Sequence, residues 1–350
     1  MTGLRLITGA TGLLGRHVAR RLIDRQLPIR VLIRPTSDRQ VIEGMITATS
    51  SETGSVQTPS IEYVVGDLAD RNTLNDLLEG VSHVYHCAAR LGDWGPWNAF
   101  ESGVVSTTRN LVDRCVNANV LRMVHVSSVA AYGHIKSPKP WTETQPLGQN
   151  LWWWDYYAKA KLLAEDEARR LGEATTIVRP TWIYGPGDQT ILPRILKTLR
   201  QGRVSILGRG DNQLNLVHAR DVAKGVVLAG ELDQAAGETF NLCSDGEITQ
   251  KDFFDLLADE IGCQRVTNCV PFPVAHWFGF ISECVARTRR QSTPPRVTRH
   301  GLSLLTRPVC FSSTAARETL GWTQNEPIRA GLIEAIKYAK ELEAESGTSC

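Results

Sequence analysis

Short apolar runs alternate with segments of helical periodicity through the first half of the chain. Leu14, Val18 and Leu22 repeat at the spacing of one helix face, and the apolar runs are as short as buried strands. Strands are predicted at Leu4–Thr8, Ile29–Ile33, Ile61–Val65, Val84–Ala88, Met123–Ser127 and Thr175–Val178. This alternation predicts an α/β protein with a doubly wound parallel sheet.

The pattern loosens after Pro180, where a smaller α/β unit is expected. Helices are predicted at Ile191–Leu199, Asp221–Glu231, Lys251–Ile261 and Pro327–Ala344. We expect a first domain over residues 1–185, with 212–243 returning to it, and a discontinuous substrate domain over 186–211 and 244–345. Residues 47–60 are rich in Ser, Thr and Gly and predict a surface loop.

Composition narrows the class of ligand. The net charge of +2 gives no electrostatic case for nucleic acid, so a small molecule is the expected partner. Eight cysteines lie scattered without a C-x-x-C pair, which argues against a metal site or a redox dithiol and favours reduced thiols in a cytoplasm. The N-terminus shows no signal-peptide pattern.

The glycines after the first strand predict a dinucleotide site of the Rossmann type. Thr8-Gly9-Ala10-Thr11-Gly12-Leu13-Leu14-Gly15 leads directly into a helix, whose N-terminus favours the negative charge of a pyrophosphate. Glycines also serve ordinary turns, but the strand-loop-helix setting favours a cofactor. The predicted contacts are Thr8, Gly9, Thr11, Gly12, Leu13, Leu14 and Gly15.

Arg34 ends the second strand, where NAD-preferring enzymes usually present an acidic group to the ribose. A guanidinium there can hold a 2′-phosphate, with Thr36 and Ser37 nearby as hydroxyl donors. The pattern therefore favours NADP, with NAD as the other possible cofactor. The alternative is a solvated arginine at a strand end.

Two further strand ends add cofactor candidates. Asp67, followed by Leu68, comes after the third strand, and its carboxylate could accept a hydrogen bond from an adenine amino group. Asp also begins turns. Ala88 and Ala89 follow the fourth strand, and small residues suit a place where backbone passes close to the cofactor, although they also simply pack.

Tyr157 and Lys161 stand four residues apart in a predicted helix and therefore share one face. A free tyrosine titrates near pH ~10, and a neighbouring ammonium favours its phenolate. An isolated Tyr-x-x-x-Lys is more often a core aromatic beside a solvated lysine. Ser127 and Ser128, however, end the fifth strand on the carboxyl edge of the sheet, where a hydroxyl can orient a substrate oxygen.

Together these features resemble the extended short-chain dehydrogenases/reductases, which carry TGxxGxxG, a Ser or Thr after the fifth strand, and YxxxK. Later segments extend the resemblance over nearly the whole chain, including Val178-Arg179-Pro180 and Tyr184-Gly185-Pro186. The resemblance implies that Tyr157 exchanges a proton with the substrate oxygen, that Lys161 lowers the tyrosine pKa, and that Ser128 orients the oxygen. It also implies cofactor contacts from Ser127, Tyr157, Lys161 and Pro180, and a homodimer through the helices at 104–116 and 152–170.

The segments from Asp93 onward and from Val270 to Leu305 look similar to the 3-beta-hydroxysteroid dehydrogenase branch. Tryptophans 94, 97, 141, 152, 153 and 154 could line a site for a large apolar substrate, or only pack between domains. The leading hypothesis is an NAD(P)-dependent oxidoreductase that interconverts a secondary alcohol and a ketone on a sterol-like or long-chain β-hydroxy/β-keto substrate. A nucleotide-sugar epimerase or dehydratase, and a non-catalytic NADP-binding sensor or scaffolding protein, are the alternatives.

The most apolar later stretch, Val270 to Val285, falls short of the ~20 apolar residues that span a bilayer. No transmembrane segment is therefore expected. Residues 271–281, followed by Arg287, Arg289 and Arg290, could rest on a membrane surface. An ordinary amphipathic lid explains the same pattern.

Overall fold

The computed structural model describes residues 3–45, 59–74, 76–135, 137, 139–244, 248–306 and 309–345. The loop predicted over residues 47–60 lies almost wholly outside them. The strands are β1 (Leu4–Thr8), β2 (Ile29–Ile33), β3 (Ile61–Val65), β4 (Val81–His86), β5 (Arg122–Val126), β6 (Thr175–Pro180), β7 (Trp182–Tyr184), β8 (Ile206–Leu207), β9 (Leu216–His218), β10 (Thr239–Leu242) and β11 (Cys269–Val270).

Helices connect and cover these strands. The α-helices are α1 (Leu13–Asp24), α2 (Trp97–Phe100), α3 (Thr107–Asn117), α4 (Tyr156–Ala168), α5 (Ile191–Arg200), α6 (Ala219–Glu231), α7 (Gln250–Ile261), α8 (Phe272–Thr288), α9 (Arg299–Thr306), α10 (Thr314–Leu320) and α11 (Ile328–Glu345). Residues 40–45 are also helical. Short 3₁₀ turns occupy Arg71–Leu74, Val129–Tyr132, Arg169–Ala174 and Asp233–Ala235, and a π-helical turn occupies Glu101–Ser106.

Seven strands form the central sheet in the order β10-β6-β5-β4-β1-β2-β3, and each pairs in parallel with its neighbours. The chain order reverses between β1 and β4, the place where open α/β sheets bind ligands beyond the carboxyl ends of their strands. The doubly wound Rossmann sheet predicted from the sequence is confirmed.

Three strands differ from their predicted bounds because parallel sheets also bury polar residues. β4 begins at Val81 and includes His83, which pairs with Arg122 at the start of β5. Both side chains are buried, although neither fits an apolar run. β6 continues to Pro180 because the guanidinium of Arg179 is buried in an ion pair.

Apolar side chains cover both faces of the sheet. Helices α1 and α6 pack together on one face, where Val18, Leu22 and Val226 are fully buried. Leu111 of α3 packs on the other face. A separate core, which includes Leu196, joins α5, α7 and α11 to β8 and β9. The expected division into two domains stays a prediction.

Within the described part of the chain, no helix combines the length and the apolar character needed to cross a membrane.

Candidate active site

The glycine loop makes a tight turn between β1 and α1. Gly9 has a φ of +73° in the left-handed region, and its carbonyl accepts the N–H of Gly12 at 3.0 Å. A Cβ on Gly15 would lie 2.1 Å from the Gly9 carbonyl oxygen, so α1 starts this close to the loop only with glycine at position 15. The loop geometry expected from the sequence is present.

The N-terminus of α1 suits an anionic ligand. Gly12 is the N-cap residue, is exposed, and has no side chain to satisfy the first N–H groups of the helix. Helix α1 begins at Leu13, and Leu14 packs into the core. Such a backbone cradle fits a pyrophosphate.

Thr8 and Ala88 bring the ends of β1 and β4 together. The Thr8 hydroxyl lies 2.8 Å from His86 Nδ1 and accepts the Ala88 N–H at 3.3 Å. A Cβ on Gly9 would lie 2.8 Å from the Cα of Ala88. The Thr8 side chain thus holds the ends of β1 and β4 together, where the strand order reverses. Ala88 and Ala89 are half-buried, and their small side chains leave room for a ligand beyond these strand ends.

Arg34 is exposed at the end of β2. Its N–H donates to the Ser37 hydroxyl at 3.1 Å, so the Ser37 side chain shapes the turn. Arg39, which the sequence analysis missed, lies on the Tyr63 ring with its guanidinium carbon 5.8 Å from the ring centroid. Two exposed guanidinium groups therefore lie at this turn. The sequence signal for the second group was an arginine shortly after Arg34.

Asp67 and Leu68 divide their roles. The exposed Asp67 carboxylate accepts the Ala69 N–H at 2.9 Å. Leu68 is buried, and its carbonyl accepts a hydrogen bond from the Asn110 side chain at 2.8 Å. Leu68 thereby anchors the loop that presents Asp67, whose contact with adenine stays a prediction.

Ser128, Tyr157 and Lys161 lie together at the carboxyl edge of the sheet. Tyr157 and Lys161 project from one face of α4, and Ser128 caps the turn after β5 by accepting the Ala130 N–H at 3.1 Å. The Ser128 side chain hydrogen-bonds Tyr157. Lys161 Nζ donates to the Val126 carbonyl at 3.0 Å. The fold thus brings the three residues that the sequence predicts to one edge of the sheet.

Burial sets the protonation of this group. Desolvation raises the pKa of Tyr157, and the hydrogen bond from Ser128 opposes it. The lowering of the tyrosine pKa by Lys161 stays a prediction. Desolvation also lowers the pKa of Lys161 to about 8, although the Glu165 charge opposes that shift. At neutral pH the site thus holds a protonated phenol beside an ammonium group.

Ser127 faces a buried ion pair. Its hydroxyl donates to Glu165 Oε1 at 2.5 Å, and Arg179 donates to both oxygens of the same carboxylate, at 2.9 and 2.6 Å. Arg179 also donates to the Tyr132 hydroxyl at 2.9 Å. The network fixes α4 to β5 and β6. Pro180 ends β6 beside it and is buried. Cofactor contacts from Ser127 and Pro180 stay predictions.

His300 comes from the C-terminal region to Tyr157. Its ring lies edge-on to Tyr157, with 5.7 Å between the ring centroids. Helix α9, which carries it, is held by Glu283: this carboxylate accepts the Arg299 N–H at 2.7 Å and the guanidinium at 2.9 Å. His300 lies in the segment from Val270 to Leu305, and nothing in its sequence pattern predicts a role for this histidine.

Most of the tryptophans that could line a substrate site pack against other side chains. Trp94 donates to the Gln291 carbonyl at 3.0 Å, and Trp152 and Trp154 contact the Arg299 guanidinium, whose carbon is 4.2 and 4.5 Å from their ring centroids. These three join the sheet to the C-terminal segment. Trp97 stacks near Tyr156, Trp141 contacts Tyr132 and Phe311, and Trp153 is 75% exposed.

Comparisons with known proteins agree with this geometry. The model of the NAD dependent epimerase/dehydratase family matches residues 5–243. The 2-alkyl-3-oxoalkanoate reductase of Stenotrophomonas maltophilia is 26% identical over 93% of this chain and 96% of its own length. The decarboxylating sterol-4-alpha-carboxylate 3-dehydrogenase of Mus musculus is 24% identical over 79% of this chain and 73% of its own.

The crystal structure of gox2253 has a TM-score of 0.76 and 31% sequence identity, and the match covers 97% of this chain and 98% of that one. The chain belongs to the NAD-dependent epimerase/dehydratase family of extended short-chain dehydrogenases/reductases, in its 3-beta-hydroxysteroid dehydrogenase-like branch.

Proposed function

We propose that this protein is an NADP-dependent oxidoreductase that reduces the ketone of a large apolar 3-oxo carboxylic acid to a secondary alcohol, and catalyses the reverse reaction. The observation that carries the proposal is the cluster of Ser128, Tyr157 and Lys161 at the carboxyl edge of the sheet. It lies on the same edge as the open N-terminus of α1, which fits a dinucleotide.

The cofactor, when bound, supplies the hydride. The protonated Tyr157 gives its phenolic proton to the substrate carbonyl oxygen. Its raised pKa keeps the phenol protonated at neutral pH. Ser128 donates a hydrogen bond to the same oxygen and stabilises the negative charge that develops there. The Lys161 ammonium, held at the Val126 carbonyl, stabilises the phenolate that remains.

NADP is the proposed cofactor because two arginines mark the β2 turn. Arg34 and Arg39 are both exposed and follow the strand whose end faces the adenosine ribose in this fold. A guanidinium can form two hydrogen bonds to a 2′-phosphate, whereas the ribose hydroxyls of NAD give it no anionic partner.

The substrate class follows from the two named relatives and from His300. Both names describe an oxygen-bearing carbon separated from a carboxylate by one carbon. The His300 ring lies next to Tyr157. We propose that it donates a hydrogen bond to such a carboxylate while the tyrosine engages the ketone.

The test follows NADPH or NADH oxidation by the purified protein with three kinds of substrate: long-chain 3-oxo acids, ketosteroids and UDP-sugars. We expect NADPH to be consumed fastest with a 3-oxo acid. Interconversion of a UDP-sugar without net change in the cofactor would instead establish the nucleotide-sugar alternative and overturn the proposed substrate. Cofactor binding with no turnover of any substrate would favour the sensor alternative.

We also propose a homodimer formed through α3 and α4. The two helices lie side by side, joined by the Arg109–Glu167 ion pair at 2.7 Å, and Val116 at the end of α3 is 50% exposed. Sedimentation equilibrium should give twice the chain mass, and a glutamate at position 116 should shift the protein toward the monomer. A monomer mass for the unaltered chain would contradict this proposal.

A further inference from the structure

Helix α8 has one face that packs closely on the protein. Its buried positions are Ala275, Gly279, Glu283 and Ala286, spaced as one face of a helix. A Cβ on Gly279 would lie only 3.2 Å from Leu302 of α9, so the small residue allows close packing of the two helices. The Glu283–Arg299 ion pair locks this contact.

The opposite face of α8 is apolar and exposed. Val274, Trp277, Phe278, Ile281 and Val285 are 58%, 65%, 60%, 57% and 42% exposed, and they follow the helical spacing of a single stripe. Monomeric proteins rarely leave so many large apolar side chains together in water. The stripe therefore needs an apolar environment that the described residues do not supply.

Charge around the stripe is positive. Residues 270–306 contain five arginines and a single acidic residue, Glu283, and that carboxylate is buried against Arg299. Arg289, Arg290 and Arg296 are exposed just after the helix. The whole chain has a net charge of only +2, so this segment is a local concentration of positive charge. A basic protein partner is disfavoured, and an anionic surface is favoured.

We propose that α8 binds the surface of an anionic lipid bilayer, lying in the plane of the interface with the stripe from Val274 to Val285 inserted among the headgroups. An exposed apolar helix face that carries Trp and Phe can insert at the boundary between headgroups and acyl chains. The arginines after the helix add attraction to anionic lipid.

The test is cosedimentation of the full-length protein with vesicles of phosphatidylcholine, with and without phosphatidylglycerol. We expect binding to the anionic vesicles that weakens as salt is added. The double variants Trp277→Ser/Ile281→Ser and Arg289→Glu/Arg290→Glu should each weaken binding by at least about tenfold. Arg329→Glu/Lys337→Glu changes the net charge by the same amount on exposed positions of α11 and should bind as the unaltered protein does.

Absence of the protein from the pellet with anionic vesicles at low salt would overturn the proposal. So would a fall in oligomer mass caused by Trp277→Ser/Ile281→Ser in the absence of lipid, because the stripe would then be a contact between copies of the chain. Vesicle binding requires no substrate, so its outcome is independent of the proposed reaction.

Discussion

Single residues decide the chemistry of this site through their surroundings. The desolvation that raises the pKa of Tyr157 also lowers that of Lys161, so one acid and one cation occupy a small volume at neutral pH. Sequence spacing was enough to find both. It missed Arg39, although a second arginine close to Arg34 was a signal. It gave His300 no role, because only the fold brings that residue to Tyr157.

Arg34 is predicted to select the phosphorylated cofactor. Arg34→Ser removes a guanidinium that would pair with the 2′-phosphate, so the Kd for NADPH should rise about 10- to 100-fold while that for NADH stays within about twofold. Fluorescence titration of both cofactors measures the effect. Arg20→Ser, which removes an exposed arginine from α1, is the control. Equal losses for both cofactors would show that Arg34 serves only the fold.

His300 is predicted to recognise the carboxylate of the substrate. His300→Ala should raise KM for a 3-oxo acid by about tenfold, the worth of a hydrogen bond to a charged group, and leave KM for a matched methyl ketone nearly unchanged. Steady-state kinetics with the two substrates separates these effects. If both KM values rise together, His300 shapes the pocket without recognising the carboxylate.

Lys161 is predicted to limit the rate at alkaline pH. Its pKa of about 8 means that the ammonium is present below that pH and is lost as the pH rises through it, so kcat for reduction should fall on the alkaline side. Tyr157, with a raised pKa, stays protonated over the same range. A pH profile that stays flat through pH 8 and beyond would contradict this assignment, and Lys161→Arg should move any remaining fall to higher pH.

At the scale of elements, buried polar contacts fix where helices and strands meet. The alternation of apolar runs located six of the seven strands of the sheet, missed β10, and misjudged the ends of β4, β5 and β6. His83, Arg122 and Arg179 are polar, and only their buried partners in the fold explain why they lie inside strands. Sequence periodicity does not contain this information.

The Glu165–Arg179 pair is predicted to hold α4 against the sheet. Both side chains are almost fully buried. Arg179→Met removes the buried partner of the Glu165 carboxylate and leaves it the more distant Arg169, at 3.6 Å, so the free energy of unfolding should fall by about 3 kcal/mol. Denaturant unfolding measures this change. Arg170→Met, which breaks more exposed ion pairs with Asp113 and Glu167, should cost at most about 1 kcal/mol.

The double variant Glu165→Gln/Arg179→Met tests the same contact by removing both of its charges. Removal of both charges should restore more than half of the lost stability. Additive losses would show that the two charges do not act as a pair.

At the scale of the whole molecule, the C-terminal segment completes the site. Glu283 on α8 holds α9, and α9 places His300 against Tyr157. The exposed apolar stripe and Tyr157 therefore belong to one packed unit. The sheet and the cofactor loop could be predicted because their signals are local in sequence. The contact between residue 300 and residue 157 could not, since it depends on how distant segments pack.

The central claim is that Tyr157 transfers the proton in an NADPH-dependent ketone reduction. The most direct measurement compares single-turnover oxidation of NADPH with a 3-oxo acid in Tyr157→Phe and in Tyr156→Phe, the adjacent tyrosine that stacks beside Trp97. We predict a loss of about 10²- to 10⁴-fold for Tyr157→Phe with unchanged NADPH binding, and a rate near that of the unaltered enzyme for Tyr156→Phe. Full turnover by Tyr157→Phe would contradict the account.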